Sequence, residues 1–561
     1  MFIILFCLCV PNFLVYCAEN NVIIASSVGE IKGLLVETRL GKEILSFRGI
    51  PYAKPPIGKR RFKDPIPIDT WEGVFDATRE GPACPQATGI NLSEDCLTLN
   101  IYTKRPDGNK IIWNEKLPVI VFIHPGGFSR YSSQSFLYGP RYLLDQDVVL
   151  VTINHRLATL GFMNTGDERA SGNYAFKDQV IALRFVRDHI SSFGGDPDLV
   201  TISGHSSGAR SIHLHLISHM SKGLFHRAIL MSGSMTTPIR AQKEQIDVIR
   251  RQASLLNCTA ESLDAVLHCL SEKPSEAFGK SEYSFQEWNT APALIWYPSI
   301  EPEVPGRERF LEDDIEVLMS SKRVANVPLL ISVTSDEFNY RIIRAEDEAR
   351  EGNDNLFQDL NRRWDELAPI CFQYERNTSR SRLISQEIRK FYFNNEPIHL
   401  NNFDRLQMLY ANSIVHYPTY RALNLIAEHS EASIYFYEFT YKGRYSYYIS
   451  KKTKKPIAGV PHADYLQYIF NVENPIYNTG ARFPIIRDKD PEFLTMNRLT
   501  TMWAHFAKTG EPWQAGSQLF QNKTWQKYTQ DARIYLEFGE DLMMKSDFLK
   551  ESMDFWSKLF P

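Results

Sequence analysis

The sequence has no long apolar run past its first residues, no internal repeat, no low-complexity linker and no large excess of either charge. Each absence removes a class of protein. A membrane-spanning helix needs roughly 20 consecutive apolar residues, and no later stretch supplies them. A net charge of −3 leaves no basic footprint for nucleic acid. The C-terminus, Lys558-Leu559-Phe560-Pro561, carries no ER-retention tetrapeptide. Cysteine is scarce, 8 in 561 residues, and none has the neighbours of a metal-ligand set. Neither a metal nor a cofactor is therefore expected.

What is present suits a soluble globular chain. Hydrophobic residues make up 43% and charged residues 23%, enough for a large core. Length alone suggests three or four domains. The 34 Phe, 26 Tyr and 9 Trp suit a deep apolar pocket and a large core equally. Residues 2–10 are apolar, and Val15-Tyr16-Cys17 ends in a small residue before Ala18, as in a cleaved secretory signal, although no Lys or Arg precedes the run. Pro11-Asn12 interrupts the run and argues against an anchor. The expected organisation is a signal at 1–17 and a secreted, soluble mature chain at 18–561. Cys7, Cys9 and Cys17 then leave with the signal. Cys84 with Cys96 and Cys258 with Cys269 would each close a small loop, worth about 3 kcal/mol. Cys371 is left over, and a buried free thiol is expected. Glycosylation sequons begin at Asn91, Asn257, Asn377 and Asn522.

The chain is organised around VTISGHSSGAR, residues 200–210. Residues 200–203 read as a β-branched strand, Gly204-His205-Ser206-Ser207-Gly208 fits G-x-S-x-G, and 209–217 has a helical pattern. A serine hydroxyl is a poor nucleophile at neutral pH and must be held up to a base. A sharp strand-to-helix turn does this, with small residues two positions to either side so that the backbones can approach. Further short buried runs occur at 97–102, 119–123, 148–153, 224–231, 327–333 and 434–439. Helical spacing occupies 177–189, and a turn at 193–197 leads into the strand before Ser206. Buried strands alternating with helices indicate an α/β architecture with a largely parallel central sheet. Nearer the start, 22–46 reads as hairpin strands, and Glu94 is a candidate partner for Arg61.

Acyl transfer makes three further demands. The oxygen of an attacked carbonyl becomes negative and must meet backbone N–H groups, each worth roughly 3 kcal/mol. Gly126-Gly127, directly after a strand, can offer two, and Ser207, after the nucleophile, a third. The base must come last in the order serine, acid, histidine. His462, in Gly459-Val460-Pro461-His462-Ala463-Asp464, meets that condition. Glu337, at the end of the run 327–333, is the candidate acid. Asp336 competes with it, and pattern alone does not separate the two.

The motifs FRGIPYAKPPIGKRRF, SEDCLTLNIY, FIHPGGF, GNYAFKDQVIALRFV, FGGDPDLVTISGHSSGA, GLFHRAILMSGS, TSDE, GVPHADYLQYIF and FAKTGEPW follow one another from about residue 47 to 513. In them the chain resembles the type-B carboxylesterases, the family that also contains the cholinesterases, and it looks closer to the general carboxylesterases. The resemblance implies a single α/β-hydrolase domain of helices around a mostly parallel sheet, with Ser206, Glu337 and His462 as triad. It also implies an oxyanion hole of Gly126, Gly127 and Ser207, disulfides joining Cys84 to Cys96 and Cys258 to Cys269, and a small-molecule ester as substrate. No nucleic acid partner is expected, and oligomeric state is not encoded in any motif.

Four positions depart from the family's pattern. Pro125 replaces the first of three glycines, His205 a glutamate, Ser207 an alanine, and Phe338 a glycine. None removes a catalytic group. Two other readings compete: a catalytically dead adhesion member of the same scaffold, and an acyltransferase using the same triad. Cholinesterases bind their quaternary ammonium mainly on a tryptophan face in the loop between the first two cysteines. Here that loop, PQATGINLSED, has no aromatic residue. Neutral esters are therefore expected as substrates, with Trp296 and Tyr297 as candidate apolar walls. Lys451, Lys452, Lys454 and Lys455 read as a solvated surface run.

Overall fold

Short apolar runs without alternation belong to strands covered on both faces, and the sheet is built of them. The computed structural model describes residues 21–106, 113–450, 452–473 and 483–561. The expected signal at 1–17 and Lys451 lie outside them.

The strands in chain order are β1 (Asn21–Ser26), β2 (Gly29–Glu37), β3 (Glu43–Pro51), β4 (Val74–Asp76), β5 (Thr98–Lys104), β6 (Leu117–Ile123), β7 (Val149–Ile153), β8 (Gly195–His205), β9 (Arg227–Met231), β10 (Leu329–Thr334), β11 (Ile434–Phe439), β12 (Ile534–Phe538) and β13 (Leu542–Ser546). They form one sheet in the order β1-β2-β3-β5-β7-β6-β8-β9-β10-β11-β12-β13, with β4 beside β2. Pairing is parallel from β7 to β12 and antiparallel towards both edges, except that β4 runs parallel to β2. One sheet through the chain makes a single domain, and the three or four that length suggests are not found.

The two faces take alternate side chains of the same strand. On β6, Val119, Val121 and Ile123 enter one apolar cluster, while Ile120 and Phe122 enter the other. The helix Tyr174–His189 covers the first face with Phe176, Val180, Leu183 and Val186. The helix Phe493–Thr509 covers the second with Met496, Leu499, Met502, Trp503 and Phe506. Burying one such side chain stabilises by about 1.5–3 kcal/mol, so both faces have to be covered.

Some boundaries move. The strand read at 200–203 extends over Gly195–His205, because Gly195 already pairs with Leu117, and the turn read at 193–197 is correspondingly shorter. The helix begins at Ser207, not Ala209. Arg61 meets Glu94 through Nε at 2.6 Å and Nη2 at 2.5 Å, and its Nη1 donates to Lys273 O at 2.6 Å. This paired arginine ties the start of the chain to the segment after the second disulfide.

Disulfides join Cys84 to Cys96 and Cys258 to Cys269, and Cys371 is a buried thiol. Asn91, Asn257, Asn377 and Asn522 are all exposed. Among the described residues no helix is long and apolar enough to cross a membrane.

Candidate active site

The sheet reverses direction in chain order at β6. Strand β7 joins one side of it, and β8 joins the other. Open α/β sheets bind ligands at the carboxyl ends of strands flanking such a switch. The segments leaving those two ends are Gly126-Gly127 and Ser206.

Ser206 has φ 56° and ψ −117°, strained for a residue with a Cβ and held by its surroundings. Its N–H donates to Met231 O at 2.8 Å. The flanking glycines are there because of close approach. A Cβ on Gly208 would lie 2.1 Å from Ile123 O, and one on Gly204 would lie 2.7 Å from the carbonyl carbon of Gly208. The elbow is thus wedged against the end of β6.

The loop after β6 turns just as sharply. Gly126 O accepts from Ser129 N at 3.1 Å and from Arg130 N at 3.2 Å. A Cβ on Gly126 would lie 2.0 Å from Arg130 O. Ser129 Oγ and Arg130 Nη2 both donate to Glu282 Oε1 at 2.7 Å. Gln86, in the loop between Cys84 and Cys96, accepts from Tyr131 N at 2.8 Å and donates to Tyr131 O at 3.0 Å. Among the described residues neither Gly126 N–H nor Gly127 N–H donates a hydrogen bond. Ser207 opens its helix, where the first N–H groups have no partner within the helix. These three N–H groups are free to meet an anionic oxygen. Pro125 has no N–H to offer, and its carbonyl accepts the contact from His124 Nδ1 at 2.7 Å.

Glu337 is fully buried beyond the end of β10. Its Oε1 accepts from Thr334 N at 2.9 Å, and its Oε2 accepts from His462 Nδ1. Burial is the largest influence on this carboxyl and raises its pKa. Attraction and hydrogen bonding to His462, with help from His416 and Ser232, more than offset it, so the group sits below its ordinary value. With Nδ1–H given to Glu337, the ring keeps Nε2 as its free acceptor. Asp336 does something else. Its Oδ2 accepts from Val460 N at 2.8 Å and from Ser335 Oγ at 2.6 Å. A Cβ on Gly459 would meet its carboxyl at 2.2 Å. It secures the loop that carries His462 without reaching the ring.

Two departures in sequence turn out to frame the imidazole. The His205 and Phe338 rings each lie 4.4 Å from the His462 ring. Phe338 has φ 56°, the left-handed conformation that explains a glycine at this place, and here the backbone strain comes with a ring against His462. His205 is buried, with neither ring nitrogen hydrogen-bonded to protein. Burial first, and then His462, hold its pKa well below the usual histidine value.

His205 is one of several such groups. Burial likewise lowers His124, His155, His416, His213 (to about 4) and His215 (to about 3). In unfolded chain these rings take up protons below about pH 6.5, while the folded protein keeps them neutral. Stability from this source is therefore complete above pH 6.5 and lost as pH falls. Asp464 and Glu438, raised by burial to about 8 and about 7, and Glu301, also raised by burial, work in the opposite sense. The six rings outnumber the three carboxyls, so on balance the folded state loses stability as pH falls below about 6.5. Thermal melts at pH 7.5 and 5.5 are expected to show a midpoint at least about 3 °C lower in acid. An equal or higher midpoint at pH 5.5 contradicts this balance.

Ser206, His462, Gly126 and Gly127 line one cavity of 270 Å³. Trp296 does not reach it. It is buried against Phe285, while the Tyr297 hydroxyl is held by Gln373 at 2.6 Å. The aromatic walls come instead from Tyr131, Tyr138, Phe338, Tyr340, Tyr447 and Tyr448. They lie on separate loops, and their convergence has no signature in sequence. Among the described residues no cluster of three or more His, Cys, Asp or Glu could hold a metal ion.

Known proteins are similar to this chain along most of its length. The model of the Carboxylesterase family matches residues 20–556. Esterase FE4 of Myzus persicae is 37% identical over 523 residues, 91% of this chain and 88% of that one. Juvenile hormone esterase of Tribolium castaneum is 32% identical over 516 residues, 88% of this chain and 84% of that one. The crystal structure of juvenile hormone esterase from Manduca sexta, with OTFP covalently attached, superposes with a TM-score of 0.81 at 26% identity. It covers 96% of this chain and 99% of that one.

Proposed function

Since the chain belongs to the carboxylesterase family, with its α/β-hydrolase fold, and is a carboxylic ester hydrolase, we propose that it is a secreted serine esterase acting on neutral esters through an acyl-enzyme on Ser206. The observation that carries this reading is the bond from buried Glu337 to His462 Nδ1, in a ring that shares its cavity with Ser206.

His462 takes the proton of Ser206 as its Oγ attacks the ester carbonyl. The N–H groups of Gly126, Gly127 and Ser207 receive the oxyanion. Glu337 orients the ring and stabilises it as imidazolium. His462 then gives its proton to the leaving alcohol, and water activated by the same ring releases the acid. The exposure of all four sequon asparagines suits glycosylation along a secretory route. The Manduca sexta relative carries covalently attached OTFP, which suits a nucleophilic mechanism on this fold.

The test is an activity-based fluorophosphonate label read out by peptide mapping. The label is expected on Ser206, and an unlabelled Ser206 in folded protein overturns the reading.

Selectivity against cations follows from the cavity walls. Arg341 lies over the rings of Phe338 and Tyr340, at 5.4 and 6.0 Å, and Arg130 lies over Tyr283 at 5.8 Å. Three of the aromatic rings that could hold a quaternary ammonium, at roughly 2 kcal/mol when desolvated, already carry a guanidinium. A choline ester and its uncharged dimethylbutyl isostere, at equal acyl length, are expected to show the neutral ester ahead in kcat/KM. A tenfold preference for the cation, about 1.4 kcal/mol, would show that these walls bind ammonium after all.

A further inference from the structure

Arg210 lies four residues past Ser206, on the first turns of the helix Ser207–His215. Its N–H donates to Ser206 O at 2.9 Å. Helical side chains lean towards the N-terminus. Arg210 therefore leans back over the turn that begins at Ser206, and its side chain lines the cavity containing Ser206 and His462.

The side chain is only 3% exposed, and its guanidinium stays charged. Taking such an ion out of water costs several kcal/mol unless a counter-charge and hydrogen bonds replace the lost solvent. The other buried arginine near the elbow obeys this rule, since Arg156 meets Asp178 through Nε at 2.8 Å and Nη2 at 2.6 Å. Arg210 does not. Among the described residues no carboxylate forms an ion pair with it. Nη2 donates to Ile414 O at 3.1 Å, in the π-helical turn Asn412–His416, and Nη1, itself buried, has no acceptor among the described residues. Burial holds its pKa below the usual arginine value, and the Tyr297 hydroxyl, a weak substitute for a carboxylate, offsets this only in part.

We infer that Arg210 binds substrate: with a small turn of its side chain, the unspent Nη1–H donates to a second oxygen on the acyl part of the ester, a carboxylate or a carbonyl roughly three to five carbons from the scissile bond. The inference rests on Ser206 as nucleophile. The acyl side is chosen because His462 must deliver a proton to the leaving oxygen, so the leaving alcohol lies towards His462. The space over the first turn after Ser206 is left for the acyl chain. The length is chosen so that a short acyl chain, ending in one hydrogen bond of about 2.9 Å, reaches across the cavity that Ser206 and Arg210 both line. A charge-assisted bond made inside a closed cavity is stronger than one made in water, so the selectivity it confers is large for one contact.

The experiment compares three ethyl esters of nearly equal shape: pentanoate, 4-oxopentanoate and monoethyl succinate. Acid release is followed with enzyme quantified by fluorophosphonate titration, so that misfolded protein is not counted. The full-length enzyme is expected to favour one or both oxygen-bearing acids by at least tenfold in kcat/KM. A lead for succinate identifies an anion site, and a lead for 4-oxopentanoate identifies a site for a neutral carbonyl. In Arg210→Met that ratio is expected to fall to about one, with Arg210→Lys between. Two results overturn the inference: no preference in the unmodified enzyme, or a preference that survives Arg210→Met. The unmodified enzyme decides the first even if Arg210→Met does not fold. Absence of both titration and turnover would strike the Ser206 reading instead, and that outcome is distinguishable because the pentanoate ester makes no use of Arg210 Nη1.

Discussion

Ser206→Ala and His462→Ala are each expected to lower kcat/KM for a simple ester by at least a thousandfold while leaving the melting midpoint within a few degrees. Without Oγ no acyl-enzyme forms. Without the imidazole the hydroxyl has no base and the leaving alcohol no acid, so either loss removes a step that nothing else in the cavity supplies. Residual rate from the N–H groups of Gly126, Gly127 and Ser207 sets the floor. The fold should tolerate both changes. Ser206 holds its place through backbone contacts to Met231 and Arg210, and His462 is one ring in a loop secured separately by Asp336. The double variant is expected to be scarcely worse than either single one, because the two groups act as a unit. Activity above a tenth of the parent in either variant would remove the mechanism.

Glu337→Gln is expected to cost at least a hundredfold, and Asp336→Asn less than tenfold. Both acids lie at the end of β10, but they serve different atoms. In the Glu337→Gln variant the new amide can still contact His462 Nδ1, yet it carries no charge to stabilise an imidazolium, and its NH₂ end would favour the wrong tautomer. Asp336 accepts from Val460 N and Ser335 Oγ, and an asparagine keeps an acceptor oxygen for the first of these. The loss from Asp336→Asn should therefore appear as a small drop in thermal stability with kcat nearly intact, and the loss from Glu337→Gln as a drop in kcat with stability nearly intact. Equal losses in kcat from both variants contradict the division of roles. The comparison is made at pH 7.5, where acid destabilisation from the buried histidines is absent.

The elbow and its partners were legible because each leaves a local trace. Gly204 and Gly208 are needed where two backbones touch, and a side chain at either position is sterically excluded. The strand runs 119–123 and 434–439 are apolar throughout because both sheet faces are covered. The resemblance favoured Glu337 over Asp336 where pattern alone was silent. The geometry then separates their contacts, one acid on the imidazole and one on the loop backbone.

By itself the sequence determined the alternation of strands and helices, the order of serine, acid and histidine, the glycine loop after β6 and the family. These follow from short-range constraints: turn sterics, two-sided burial and chain order. Only the tertiary structure decided what surrounds the imidazole, which rings wall the cavity and where Arg210 spends its charge. His205 and Phe338 are 133 positions apart in the chain, yet each lies 4.4 Å from His462. Arg210 looks like any helical arginine until its burial and its lack of a carboxylate are seen. Side chains meet in a site because the sheet brings the ends of distant strands to one edge, and the identity of a neighbour across that edge is not encoded in the spacing of either segment.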